Sequence, residues 1–299
     1  KGMSPDEKTE VKLNIGRIPE ILLDNTDRNR TSPFAFTGNK FEMRAVGSQA
    51  NCAGPMIVMN SIMANQLKVF KNDVDALIKK GKKKDEAILS VLRRYVMESR
   101  NILFEGNGYS DEWVKEAAKR GLSNIKTTPH CLDVYLRKES IKLFADLDVM
   151  SAHELEARTE IYQENYKMKI QIESRVMGDL CMNHIIPAAI SYQNKVIETL
   201  KNLKEVYAGE DFKRLAAPHD KIIKEISERI AKVQELVHDM IEERKKANVL
   251  EEEREAAMWY CEKVIPYMSD IRYQVDKLEL VVEDDLWPLP KYREMLFSR

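Results

Sequence analysis

The chain has 299 residues, enough to bury a sizeable core in one large or two smaller domains. Charged residues make up 32% and cancel to a net charge of −1, which excludes a nucleic-acid binder that relies on a basic field. No apolar run approaches bilayer-spanning length and the start carries no signal-peptide pattern, so no membrane partner is expected and the cytoplasm is the expected compartment.

In chain order, Ser4 reads as a helix cap, with Pro5 at the first helical position and Asp6-Glu7 in the first turn. A β-hairpin follows. Phe34 and Phe36 alternate with Ala35 and Thr37, Gly38-Asn39 supplies a two-residue turn, and Phe41 and Met43 alternate with Lys40, Glu42 and Arg44. Met56, Asn60, Met63, Leu67, Phe70, Val74 and Leu77 then recur in steps of four and three, one face of a long helix ending near Gly81. A second helix runs from Asp85 through Leu92 and Tyr95, and Gly106-Asn107-Gly108 breaks the chain. Ser110 caps a short helix closed by Gly121, and Thr128-Pro129 opens another.

Ser151-Ala152-His153-Glu154 is a capping box at the head of a very long helix carrying Leu155, Tyr162, Tyr166, Val176, Leu180 and Ile185, which Pro187 interrupts or kinks. Ile223, Ile226, Ile230, Val233, Val237 and Met240 form a heptad seam. Ala257, Tyr260, Val264, Tyr267, Ile271, Leu278 and Val282 repeat the pattern, so two antiparallel helices joined near Lys246 to Glu253 make a long hairpin. The tail from Trp287 to Phe297, with Pro288 and Pro290, cannot start as regular helix and is expected to dock on a hydrophobic groove. The charge runs at Lys79 to Lys84 and Glu243 to Asn248 read as solvated helix junctions.

Few side chains outside the hairpin carry chemistry. Cys52, Cys131, Cys181 and Cys261 lie far apart with no C-x-x-C, so they frame no zinc site and read as reduced core thiols. Glu235 and His238 form one E-x-x-H, whereas a di-iron bundle needs two such motifs with further glutamates, so this one reads as chance spacing. The hairpin is different. Strand period two sends Phe41 and Met43 to one face and Lys40, Glu42 and Arg44 to the other, with Arg28 and Arg30 just upstream. One carboxylate between two cations suits a metal-phosphate-carboxylate site, and it equally suits a solvated strand face with cross-strand ion pairs.

The residues NRTSPFAFTGNKFEMRAVGSQANCAGP resemble the corresponding segment of the bacterial type III glutamine synthetases, where other glutamine synthetases have NRS followed by a strand ending in E-x-R. The segments GNGYSDEWVKEAAKRGL, KTTPHCLD, ELEARTEIYQENY, NHIIPAAISYQN and DKLELVVEDDLWPLPKYREMLF are similar to type III segments too, so the resemblance covers nearly the whole chain. It implies that Glu42 is a metal ligand, Arg44 grips the substrate glutamate, Arg30 stabilises the transferring phosphoryl group and Lys40 lies near the nucleotide. A guanidinium suits such oxygens because it presents paired donors in one plane and keeps its charge. Many family members carry a further arginine five residues after the NRS arginine. Ala35 stands there in this chain, leaving the family's second phosphate contact without its usual residue.

The resemblance implies a mainly α fold: long helices and an antiparallel helical hairpin bundle, preceded by a short β-hairpin remnant of the glutamine synthetase catalytic domain. Residues 1–108 would be the C-terminal part of the catalytic domain and 109–299 the helical C-terminal domain of the type III form. The implied enzyme makes glutamine from glutamate and ammonia, using ATP with Mg²⁺ or Mn²⁺, through a γ-glutamyl phosphate, as a homo-oligomeric ring. The family's other metal ligands and nucleotide-binding segments lie upstream of this motif, so the chain is expected to be a C-terminal portion, inactive alone. The rival reading is a non-catalytic helical interaction or oligomerisation module.

Overall fold

A computed structural model of the chain describes residues 51–102 and 110–296, apart from the side chains of 292 and 293, together with the backbone of four short strands within the first 43 residues. The described residues are mainly helical. Strand β1 (Glu10–Val11) pairs antiparallel with β2 (Ile21–Leu22), a pairing that no alternation in the sequence announces. Strand β3 (Phe34–Phe36) pairs antiparallel with β4 (Phe41–Met43), in the register Phe34 to Met43, Ala35 to Glu42 and Phe36 to Phe41. The expected helix start at Ser4-Pro5, the Gly38-Asn39 turn and the Gly106 to Gly108 break lie outside the described residues.

The chain divides into two compact units, one of residues 1–125 and 137–152, the other of 126–136 and 153–299. In the first, α1 (Ala53–Lys79) and α2 (Lys84–Glu98) form a helical hairpin. Gly81 closes α1 at φ +90°, the left-handed conformation that glycine alone enters without cost, and its N–H donates to the Ile78 carbonyl. The small core of this hairpin is Val74, Ala87 and Val91, with Phe70, Leu77, Ile88 and Tyr95 packed around it. Only the C-terminal half of the α1 stripe is covered. Met56 and Leu67, expected on the packed face, are exposed, Leu67 by 61%, because 15-residue α2 is too short to reach along 27-residue α1.

Also in this unit, α3 (Asp111–Lys119) starts where Ser110 predicts: the Ser110 hydroxyl accepts from the Trp113 N–H at 3.2 Å, and Gly121 follows the helix at φ +78°. Helix α5 (Lys138–Asp146) buries Phe144 and meets α1, where Lys68 Nζ donates to the Asp146 carbonyl at 3.1 Å. No periodicity in so short a segment marks α5 in the sequence.

The second unit holds the larger core. Helix α4 (Thr128–Leu132) opens with Pro129 in its first turn. Helix α6 (Ala152–Leu180) follows Ser151, the residue expected as its cap. Pro187 does not end this rod. Residues Cys181–Ile185 widen into one π-turn, the Ile186 N–H donates to the Cys181 carbonyl five residues back, and α7 (Ile186–Val206) continues. Proline lacks the N–H of the ordinary ladder and its ring crowds the carbonyl four residues earlier, so a wider turn just before it relieves both. The same device recurs downstream: α9 (Glu253–Trp259), a π-turn at Tyr260–Val264, then α10 (Ile265–Glu279) with Pro266 in its first turn.

Between these two rods runs α8 (Gly209–Ala247), packed on α7 and on α10. Ile226, Val233, Val237 and Met240 of the expected seam are buried with Ala257, Tyr260, Val264, Ile271, Leu278 and Val282 of its partner. Ile223 and Ile230 are only half-buried. Trp287, after the last 3₁₀ turn at Asp284–Leu286, is buried in this core, so the tail begins docked as its prolines imply; α11 (Tyr292–Leu296) ends the described chain.

Candidate functional site

Glu42 is the central residue of β4, opposite Ala35 on β3. Directly opposed positions of an antiparallel pair share one face of the ribbon, so positions 35 and 42 stand together and positions 34, 36, 41 and 43, three phenylalanines and a methionine, take the other face. The residue missing from the family pattern is thus the cross-strand neighbour of the metal-ligand candidate. The Glu42 side chain and all of Arg30, Lys40 and Arg44 lie outside the described residues, so the structure brings none of these side chains together.

Among the described residues no group of three or more His, Cys, Asp or Glu side chains could hold a metal ion. Mg²⁺ demands near-octahedral oxygen coordination and gives up its waters reluctantly, so Glu42 as one carboxylate does not hold it unaided. The E-x-x-H pair is a surface feature of α8. Glu235 meets Lys232 at 2.9 Å, and His238 is exposed beside it. His153 and His184 are exposed as well. His130 accepts from or donates to the Thr127 hydroxyl at 2.6 Å and lies 3.9 Å from Glu262, an arrangement that fixes the start of α4 near the π-turn at Tyr260–Val264.

The thiols differ in environment. Cys52 and Cys131 are exposed, whereas burial pushes the Cys181 thiol up to about 11, which keeps it protonated and unreactive at neutral pH. The expectation of core thiols thus holds for Cys181 and not for Cys52 or Cys131, which stand on the outer side of helix starts. Burial, with a hydrogen bond donated by the phenol to Cys261, raises the Tyr166 phenol, so this side chain too stays neutral.

The second unit also contains a cavity of about 570 Å³. Its walls are α6, the π-turn at Cys181–Ile185, α10 and the docked tail at Trp287 to Pro290. Sequence reasoning does not single out these residues as a site. The signals that could have found it are the two Ile-Pro steps, which mark the π-turns, and the proline-flanked tryptophan, which marks the tail as packed.

The family model for the glutamine synthetase C-terminal domain matches residues 87–204. The chain is 52% identical over 99% of its length to a glutamine synthetase of Bacteroides fragilis, of which it covers 41%. It is 34% identical over 97% of its length to the type-3 glutamine synthetase of Dictyostelium discoideum, covering 39% of that protein, and 34% identical over 92% to a glutamine synthetase of Butyrivibrio fibrisolvens, covering 38%. The chain spans about two fifths of the length of the curated relatives it matches. No described helix is long and apolar enough to cross a membrane. With sequence similarity across almost its whole length and a helical region matched by the C-terminal domain model, the chain belongs to the glutamine synthetase family.

Proposed function

We propose that this chain is the C-terminal portion of an ATP-dependent glutamate–ammonia ligase, with its catalytic contribution confined to the β3–β4 hairpin and its flanks. The observation that carries this reading is the Ala35 to Glu42 register, which forms within the segment resembling the family's site. In this reading residues 1–108 complete the catalytic domain and 109–299 are the helical domain of the type III form. Glu42 contributes one carboxylate to a divalent-cation site whose other ligands come from elsewhere in the longer enzyme. ATP with Mg²⁺ or Mn²⁺ supplies the phosphoryl group that activates glutamate for attack by ammonia.

The chain's own residues bind and orient. Arg44, two positions beyond Glu42 on the same strand line, presents a planar fork to the glutamate carboxylate. Arg30 balances charge that spreads over phosphoryl oxygens, and Lys40 adds a point charge toward the nucleotide. The working form is a ring of identical subunits in the cytoplasm. The chain alone is inactive, because its single ligand candidate is too few for Mg²⁺.

In the complete enzyme, Arg30→Lys and Glu42→Gln are expected to abolish turnover with assembly intact, while Glu235→Gln changes nothing; steady-state glutamine formation and light scattering check this. Near-normal turnover in both hairpin variants would overturn the assignment. A non-catalytic oligomerisation module, the rival, would be supported by normal turnover in those variants together with loss of assembly on disrupting α8.

A further inference from the structure

Helix α6 inverts the usual amphipathic pattern. The positions it buries are Leu155, Thr159, Gln163, Ile170, Ser174 and Gly178, of which only two carry a large aliphatic side chain. Its buried polar groups bond inward: Gln163 Nε2 donates to the Pro129 carbonyl at 3.1 Å, and the Thr159 hydroxyl donates to the Leu155 carbonyl at 2.7 Å. The opposite face carries Ile161, Met168, Ile172 and Val176, each between 46% and 56% exposed. Steps of seven, four and four keep them on one stripe, about 22 Å long at a rise of about 1.5 Å per residue. Apolar side chains scattered singly over a surface are ordinary, whereas a contiguous stripe marks an interaction surface.

The charges beside this stripe are free. Along α8, exposed charges are spent on neighbours one turn away: Lys224 on Asp220 at 2.6 Å, Lys232 on Glu235 at 2.9 Å and Lys245 on Glu242 at 2.6 Å. On α6, helical spacing puts Glu164 and Arg175 on one edge of the stripe and Lys169 and Glu173 on the other; all four are exposed and none has an ion pair among the described residues. The stripe and its edges are complementary to themselves. Met168 with Ile172, Glu164 with Arg175, and Ile161 with Val176 are each disposed about nearly the same point, the middle of the stripe beside Lys169. A two-fold axis through that point, perpendicular to the helix, lays a second α6 antiparallel on the first and brings like edges together. Met168 then packs beside Ile172 of the second copy, Glu164 meets its Arg175 and Lys169 its Glu173, every contact is made twice, and the helix dipoles oppose.

We propose that the outward face of α6 is an interface between two copies of this chain, formed by antiparallel pairing of their α6 helices about a two-fold axis. Subunits in a ring join head to tail, so this isologous contact is additional to a ring and stands without it. The groove between α6, α10 and the tail belongs to the same surface, since Ile172 and Val176 form part of its wall.

Sedimentation velocity of the full chain tests the pairing, with no readout of turnover, so its failure leaves the ligase reading untouched. A reversible dimer with a Kd below about 100 μM is expected, a modest affinity because one helix face is smaller than a standard interface. Ile172→Asp, at an exposed position, should leave the circular-dichroism melt unchanged and raise Kd by about tenfold or more. Glu164→Arg and Arg175→Glu each set like charges together twice and should each raise Kd about tenfold, whereas the double variant restores opposite charges and should return Kd to within about threefold of the unaltered chain. A double variant as weak as the single ones would overturn the antiparallel register, and a dimer indifferent to Ile172→Asp would place the contact elsewhere. A chain that stays monomeric up to about 300 μM would overturn the proposal outright. If Ile172→Asp then lowered the melt of the complete enzyme, the face would belong to another part of that enzyme.

Discussion

The two compact units solve the same problem, covering an apolar helical stripe, with very different completeness. In the second, α8 is flanked by two long rods, and Ile226, Val233, Met240, Tyr260, Val264, Ile271 and Leu278 lose all contact with solvent. In the first, α1 has 27 residues but its core is Val74, Ala87 and Val91, and Met56, Ile57 and Ile62 of its N-terminal half stay exposed while Met63 is only half-buried. Periodicity alone does not distinguish these cases, because a stripe records what a helix is built to bury, and not how much of it is buried by its neighbours. The second unit buries most of its α8–α10 seam, although α6 leaves Ile161, Met168, Ile172 and Val176 exposed. The first leaves much of the α1 stripe open among the described residues.

The largest expected effect separates the two directly. Ile226→Asp places an unpaired carboxylate in a fully buried site of the second unit, at a cost of several kcal/mol, a large share of a domain's stability. Its cooperative melt by circular dichroism should be lost or strongly lowered. Leu67→Asp, on the open half of α1, should change stability by less than about 0.5 kcal/mol. Equal effects would abolish the distinction.

Truncations grade it further. Leu278→Ala should cost about 2–5 kcal/mol and Val91→Ala about 2 kcal/mol, since each removes buried methyl groups and leaves a void. Hydrogen exchange should localise the first loss to α8 and α10 and the second to α1 and α2. Ser110→Ala removes one cap and should cost about 1 kcal/mol, confined to exchange in α3.

The smallest effect is one of pH. Asp73 on α1 accepts from the Tyr95 hydroxyl at 2.7 Å and pairs with Arg94, both on α2, and the tyrosine hydrogen bond foremost holds its carboxyl below the ordinary value of 3.8. A lowered folded-state value means that the contribution is present above 3.8 and is lost as pH falls through the folded value. Carboxyl NMR of Asp73 should show this displaced titration, and Tyr95→Phe should move it back toward 3.8.

The heptad seams of α8 and α10, the Ser110 cap, the glycine stops and the docked Trp287 follow from the residues themselves, because each depends on neighbours one or two turns away. What does not follow depends on distant partners. Met56 and Leu67 carry the same spacing as Val74, yet only Val74 faces α2. Pro187 reads as an interruption or kink, whereas a π-turn before it lets the rod continue, and the same device precedes Pro266, which the sequence reading passes over. For the candidate site, it is the family resemblance that points to Glu42, and strand pairing that puts position 35 opposite it. The cavity is built from segments about a hundred residues apart, and no local pattern assembles its walls from α6, α10 and the Trp287 tail.

In the proposed division of labour chemistry belongs to the hairpin and independent stability to the bundle, and one variant in the complete enzyme tests both. Glu42→Gln keeps shape and removes an anionic ligand, so glutamine formation should disappear while the thermal melt of the helical region stays within error of the unaltered enzyme. Turnover near normal, or a melt lowered together with activity, would contradict the division of labour between the two regions.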